Sequence, residues 1–206
     1  MPSWETIVLV TLAGLALSAS PGPSMLYVLS RSIGQSRAAG LASAVGLATG
    51  GLLLALAAAL GLTAVFQHSE TLYLTVQYAG AAYLVYLGVR MLIPEGESED
   101  TLEDVRHESV GKIVFQGIFV ELLNPKTILF FLAFIPQFIQ PNGNVPLQML
   151  VLGVLVPLTA LPSDVIVSFA GGTLAERLSQ NRKVGVALNW LGGLFLVGLG
   201  VRTFFL

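Results

Sequence analysis

The sequence predicts an all-α integral membrane protein of six transmembrane helices, arranged as two inverted three-helix repeats, each with a broken first helix. Three observations carry this. Hydrophobic residues make up 54% of the 206 and charged residues 11%, with a mean hydropathy of +0.80, outside the range of a soluble globular domain. Six windows of about 20 predominantly apolar residues cover most of the chain. The end of the first half also repeats at the end of the second.

The six spans fall near 5–30, 41–66, 73–93, 113–135, 147–170 and 184–206. Their connections at 31–40, 67–72, 136–146 and 171–183 are short, and only 94–112 (PEGESEDTLEDVRHESVGK) has the composition of a soluble segment. The whole chain, 1–206, is therefore one transporter-sized transmembrane domain: repeat one at 1–93, an acidic linker at 94–112 and repeat two at 113–206. The linker reads as a solvated segment, because charge blocks are commonly solvated or disordered.

Span one is not a secretory signal. MPSWETI carries Glu5 and no Lys or Arg, and the apolar run is too long before any small-residue cleavage site, so it is expected to stay in the protein. Within it, SASPGPSML at 18–26 places Pro21, Gly22 and Pro23 where a helix should be most regular. Proline removes an amide donor and clashes with the preceding turn, and the freed carbonyls must find neighbouring helices, water or a ligand. Pro21 lies ten residues before Arg31, about 15 Å of helix at about 1.5 Å per residue, or half of a ~30 Å hydrocarbon core. A packing kink would account for a lone proline.

Span four repeats the anomaly. ELLNPKTILFF carries Asn124, Pro125 and Lys126 near its middle, so both halves interrupt their first helix. Corresponding breaks in corresponding helices are the best sequence pointer to a transporter's binding site. Lys126 is too deep to snorkel comfortably to an interface, which leaves two roles: countering a carboxylate of the protein, or gripping the carboxylate of a substrate. Glu121 is three residues from Asn124, on the same helix face, and five from Lys126, on a different one. It is close enough to the interface to be wet, and is the second candidate for proton coupling. In span five, Asp164 follows Pro157 and Pro162. A carboxyl in low dielectric takes up a proton more readily than one in water, so Asp164 is the first candidate proton carrier, the alternative being a salt-bridge partner that neutralises Lys126.

Spans three and six carry the repeat. QYAGAAYLVYLGVRML (77–92) over NWLGGLFLVGLGVRTF (189–204) gives seven identities in sixteen positions without a gap, LGVR included. Three spans per half force the second half to enter from the opposite face, so the repeats are inverted about an axis in the membrane plane, and Arg90 and Arg202 end equivalent helices on opposite sides. Arg31, Arg37, Arg90, Arg106, Lys112, Arg177, Arg182 and Lys183 fall on one side, Arg202 alone on the other. The positive-inside rule makes the first side cytoplasmic and turns both termini outward.

The remaining polar residues Gln77, Gln116 and Asn189 read as interhelical hydrogen-bonding groups. The small-residue runs Gly14-x3-Ser18-x3-Gly22 and Gly46-x3-Gly50 read as helix packing, with subunit contact in a homodimer as the other reading. Tyr27, Tyr83, Tyr86, Phe130 and Trp190 are candidate pocket walls, although core or interfacial positions suit them as well.

Several chemistries are excluded or disfavoured. With no cysteine there is no disulfide and no thiolate metal site. His68 and His107 fall in expected loops, so a metal exporter lacks the soft ligands transition metals want. No H-E-x-x-H or G-x-S-x-G motif is present, and Ser24 has no histidine within its span, so an enzyme is not expected. A passive channel remains as an alternative, distinguished by the absence of proton coupling. No nucleic-acid partner is expected.

At these residues the chain resembles a known family. PGPSMLYVLSRSIGQSRAAGLASAVGLATG, NPK at 124–126, the six-span length and the final GVR are similar to the lysine exporter (LysE) superfamily, in its homoserine/threonine exporter (RhtB-type) branch. The resemblance covers essentially the whole chain. It implies export of neutral amino acids or close derivatives, homoserine, threonine and homoserine lactone among them, from the cytoplasm across a bacterial inner membrane. The proton motive force would drive it, with no cofactor; proton antiport is the residue-level reading, in which one carboxylate holds substrate and proton in turn. It implicates Pro21, Gly22, Pro23, Asn124, Pro125 and Lys126. Joined to the residue-level reading, a half-helix N-terminus and Lys126 would meet the substrate's carboxylate, while Asp164, with Glu121, answers its ammonium and exchanges it for a proton.

Overall fold

A computed structural model describes residues 1–19, 22–68 and 107–180, apart from the side chains of 62–68, 133 and 172–180, together with single positions between 71 and 93 and between 190 and 201. Pro21, Gln77, Arg90, Asn189, Arg202, the linker at 94–106 and most of spans three and six lie outside the described residues.

All regular structure among the described residues is helical. Helix α1 (Trp4–Ala19) and α2 (Pro23–Gly34) are two halves of one bent span, at 52° to each other. The long α3 (Arg37–His68) follows after two residues. The second half opens in the same way: α4 (Val110–Leu122) and α5 (Pro125–Leu129) bend at a break of two residues. One turn of π-helix (Phe130–Phe134) and a 3-10 turn (Ile135–Phe138) then extend α5. That broken pair bends by 48°, and the long α6 (Val145–Gln180) follows it. Within α3 and α6, Arg37–Gly61 and Val145–Gly171 are each long and apolar enough to cross a bilayer, and each broken pair meets the same test as one bent span.

Three expected connections are corrected. The loop placed at 31–40 shrinks to Gln35 and Ser36, because α2 runs on to Gly34 and the Ser36 hydroxyl accepts the Ala39 amide at the start of α3 (3.1 Å). The loop expected at 171–183 is helical to Gln180, and His68, expected in a loop, is the last residue of α3. In each case helix propensity carries the element past the apolar window, which marks only the part inside the hydrocarbon.

The two breaks start their second halves alike. Pro23 and Pro125 each occupy the first turn, where a missing amide costs nothing. Asn124 caps α5, its Oδ1 accepting the Lys126 amide at 3.0 Å. Gly22 precedes α2 in extended conformation. A Cβ there would lie 3.1 Å from Lys126 Nζ, so glycine admits that side chain to the break.

Among the described residues the buried apolar side chains form three clusters, the smallest joining Ala39 and Ala42 of α3 to Ile113 of α4. The largest cluster joins Val10, Ala13 and Leu17 of α1, Ala55 and Ala59 of α3, Phe130, Phe131 and Phe134, and Met149, Leu152 and Val156 of α6. A smaller one joins Val28, Leu47 and Val167, with Met25 and Val120 against it. Outward-facing side chains such as Leu56, Leu60, Ile166 and Phe169 remain exposed, as a bilayer-facing surface requires.

The glycine runs are used within the chain. A Cβ on Gly46 would meet the carbonyl of Val114, and one on Gly50 would lie 2.7 Å from the carbonyl of Ile118, so α3 and α4 pack backbone to backbone. Gly14 makes room for Thr159 of α6 in the same way. Gly50→Ala is therefore expected to cost about 1–3 kcal/mol, seen as a lowered melting temperature in detergent. Gly111→Ala, on α4 with no heavy atom within 4 Å of its Cβ, should leave the melt unchanged or raise it.

Candidate functional site

The two breaks cross, and each is completed by the other half of the chain. The last turn of α1 has carbonyls with no helical partner. Lys126, the second residue of α5, donates from Nζ to the Leu17 carbonyl at 2.9 Å. Ser18 Oγ turns back to the Leu15 carbonyl at 2.9 Å. The ammonium sits where a helix C-terminus carries partial negative charge. Reciprocally Ser24, the second residue of α2, reaches the last turn of α4 and donates from Oγ to Glu121 Oε2. Ser24 Oγ also accepts from Asn124 Nδ2 at 2.7 Å.

Beside this crossing lies a cleft of about 590 Å³, its open mouth included. Ser18, Ser24, Glu121, Asn124, Lys126, Thr127 and Asp164 supply its polar lining. Its apolar wall comes from two of the packing clusters: Leu17 and Val156 from the largest, Met25 and Leu47 from the one around Val28. The cleft thus sits at the junction of these two. Val156, Ala160 and Asp164 reach it by successive i, i+4 steps along α6. Pro157, also in its lining, lies against Gly51 of α3, where a Cβ would approach Pro157 Cβ to 2.9 Å.

The structure brings together Gly22, Pro23, Asn124, Pro125, Lys126, Glu121 and Asp164, while Pro21 lies outside the described residues. Asn124 is 1% and Asp164 8% exposed. Asp164 and Glu121 both lie within electrostatic range of the Lys126 ammonium, and of each other. Helical spacing had put Glu121 and Lys126 on different faces. They share the cleft because the break at Leu123 and Asn124 redirects the chain, so facial arithmetic does not carry across it. For Lys126 the structure adds a backbone carbonyl as partner, which neither sequence-level role anticipates.

Sequence reasoning passed over Ser24 as anything but a nucleophile. Its signal was positional: it follows Pro23 as Lys126 follows Pro125, the second residue after each break. None of Tyr27, Tyr86, Phe130 or Trp190 lines the cleft. Phe130 is core, and Tyr86 and Trp190 are outward-facing. Tyr27 sits near the middle of α2, its hydroxyl donating to the Ile113 carbonyl at 2.9 Å beside the Arg31 to Gln116 contact at 2.8 Å. Those bonds fasten α2 to α4, as expected of Gln116.

The lining brings two carboxyl side chains, Glu121 and Asp164, and the amino group of Lys126 to one cleft, the set of groups that would meet the two charged ends of a small zwitterion. Among the described residues no group of three or more His, Cys, Asp or Glu side chains is placed to hold a metal ion.

The chain is similar to known proteins over most of its length. The family model described as LysE type translocator matches residues 15–205. The "Homoserine/homoserine lactone efflux protein" of Salmonella typhimurium (strain LT2) is 34% identical, over 90% of each chain. The "Leucine efflux protein" of Enterobacter sp. (strain 638) is 31% identical, over 88% of this chain and 87% of its own. The "Uncharacterized membrane protein YrhP" of Bacillus subtilis (strain 168) is 32% identical over 89% and 90%. No solved structure matches significantly.

Because Asn124 both caps α5 and holds Ser24, Asn124→Ala should destabilise the fold by about 1 kcal/mol through the cap alone. Asn124→Asp keeps an acceptor for the Lys126 amide and should recover the cap. Chemical denaturation in detergent micelles, followed by circular dichroism, reads both.

Proposed function

This chain belongs to the LysE-type translocator family, and from that premise we propose that it exports amino acids or close derivatives by proton antiport. The observation that carries the proposal is the pair of crossed, mutually completed helix breaks beside a cleft holding Lys126, Glu121 and Asp164. Leucine, homoserine and homoserine lactone, the cargoes in the relatives' names, share an ammonium or amine group. Two carboxylates in a low-dielectric cleft suit that group. The carboxylate of an amino acid meets Lys126 and the amino end of α2, a twelve-residue helix whose dipole points its positive end into the break. The wall of Leu17, Met25, Leu47 and Val156 favours an aliphatic or small side chain over a charged one.

Antiport follows from exclusion. A substrate ammonium and a proton compete for the same carboxylate, so Asp164 carries one on each stroke. The access change is a rocking of two inverted repeats, with 1–93 and 113–206 as the units and both termini outside the cytoplasmic membrane. Its support is the reciprocity of the contacts. Each half has a helix broken before a proline and then a long helix, and in each the second residue past the break reaches the last turn of the other half. A two-fold axis in the membrane plane generates that pattern.

Proteoliposomes loaded with neutral amino acids, homoserine and homoserine lactone should lose a few of these selectively, faster when a pH gradient is imposed. Asp164→Asn should abolish the acceleration by the gradient while inserting and folding normally. Equal acceleration in that variant would refute the assignment of Asp164, and unselective, unsaturable flux would indicate a channel.

A further inference from the structure

We propose that the seam between α3 and α6 is the side-chain subsite of the cleft, that Ala48 and Ala160 set the size of side chain it accepts, and that it takes a branched hydrocarbon side chain over its hydroxyl-bearing counterpart. The inference rests on the export reading for the class of molecule that enters, and adds which face of the cleft tells one amino acid from another.

The register of the two long helices carries it. A Cβ on Gly153 would lie 3.0 Å from Ala55 Cβ, one on Gly51 2.9 Å from Pro157 Cβ, and one on Gly40 3.1 Å from Ser168 Oγ. Each step back along α3 is matched by an equal step forward along α6, so the two run antiparallel in one register over about four turns. Ala48 lies three residues before Gly51, and Ala160 three after Pro157, which sets them opposite each other one turn from that contact. On one side of this level Gly51 and Pro157 are buried, and on the other Gly40 and Ser168 are. Ala48 and Ala160 are only half-buried, and both line the cleft. The seam is closed at the levels on either side and opens between them, into the cleft.

The seam is also chemically one-sided. From α3 the lining takes Leu47, Ala48 and Gly51, and from α6 Val156, Pro157 and Ala160, with Asp164 one turn further on. None of those six side chains carries a hydroxyl, an amide or a charge. The rest of the polar lining comes from the helix breaks, Ser24, Glu121, Asn124 and Lys126 among it. An amino acid held by its charged groups between the breaks and Asp164 therefore lays its side chain against the seam. A hydrocarbon side chain gains there by leaving water, whereas a hydroxyl gives up hydrogen bonds to water for side chains that return none. Size follows from the alanines. The glycines beside them serve packing, since a Cβ on Gly51 would crowd Pro157 and one on Gly14 would meet Thr159. Growth at Ala48 or Ala160 has the cleft in front of it and fills the subsite.

The test is equilibrium binding of radiolabelled alanine, valine, threonine and leucine to the purified full chain in detergent. Valine and threonine share a shape and differ by a methyl against a hydroxyl. Wild type should bind valine and leucine about tenfold more tightly than threonine. Ala160→Leu and Ala48→Leu should each lower the leucine-to-alanine affinity ratio about tenfold, the effect of a carbon or two of lost room in an apolar pocket. Ala160→Val and Ala48→Val should lower it by less, and serve if the leucine variants do not fold. A role in helix packing alone would weaken all four amino acids together. An unchanged ratio therefore overturns the proposal, as does threonine bound as tightly as valine, or a wild-type protein that binds none of the four. Binding needs neither turnover nor a pH gradient. Size-graded binding by a protein that moves no amino acid in proteoliposomes would overturn the export reading and uphold the subsite.

Discussion

A helix broken inside a bilayer leaves backbone carbonyls without helical partners, and the fold of this protein depends on how they are met. The ammonium of Lys126 goes to the Leu17 carbonyl, across from the other half of the chain. A charge in the hydrocarbon region is costly unless it faces a partner or a cavity, and here the charge and the broken helix end satisfy each other. Gly22 leaves room beside it, since a Cβ there would lie 3.1 Å from the approaching Nζ. With Ser24 meeting Glu121 in the reciprocal position, the two breaks lock together, and neither half can complete its first span without the other.

From this constraint the cleft follows. Two broken helices whose breaks meet leave a space walled by residues of two separate packed clusters, one centred on Phe130, Phe131 and Phe134, the other on Val28, Leu47 and Val167. Polar groups gather at the junction because the breaks bring them there, and α6 adds Asp164 through its i, i+4 stripe. The same contacts that hold the crossing also line the site. A cargo that competes for Lys126 or Glu121 therefore acts on the joint between the halves. That is a physical route from binding to rearrangement, since a ligand shifts a conformational equilibrium only through interactions that differ between the states.

Much of this was legible in the sequence. The breaks showed themselves as Pro21 to Pro23 and Asn124 to Lys126, where proline and a capping or small residue stand together, whereas Pro157 and Pro162 stand inside the continuous α6. Lys126, Glu121 and Asp164 stood out because intramembrane charges are rare and expensive. What escaped was everything decided by the geometry of the crossing. The partner of Lys126 is a backbone carbonyl, and carbonyls carry no mark in the sequence. Ser24 looked inert because a hydroxyl becomes informative only when its neighbours fix its direction. Facial spacing between Glu121 and Lys126 failed because a break resets the helical phase. Loop ends at 31–40 and 171–183 were misplaced because hydropathy marks the hydrocarbon slab and helices extend beyond it.

The central claim, that the cleft beside the crossed breaks is where the cargo binds, is open to a direct measurement because the chain has no cysteine of its own. Ala160→Cys places a single thiol in the wall of the cleft, one turn from Asp164, and Gly111→Cys places one at an exposed position at the start of α4. The rate of modification by a small thiol reagent would be followed in reconstituted protein, with and without a saturating amino acid that the protein exports. The account predicts that the amino acid slows labelling at position 160 and leaves position 111 unchanged. Labelling at 160 that stays equally fast with the cargo present would place the binding site elsewhere and contradict it.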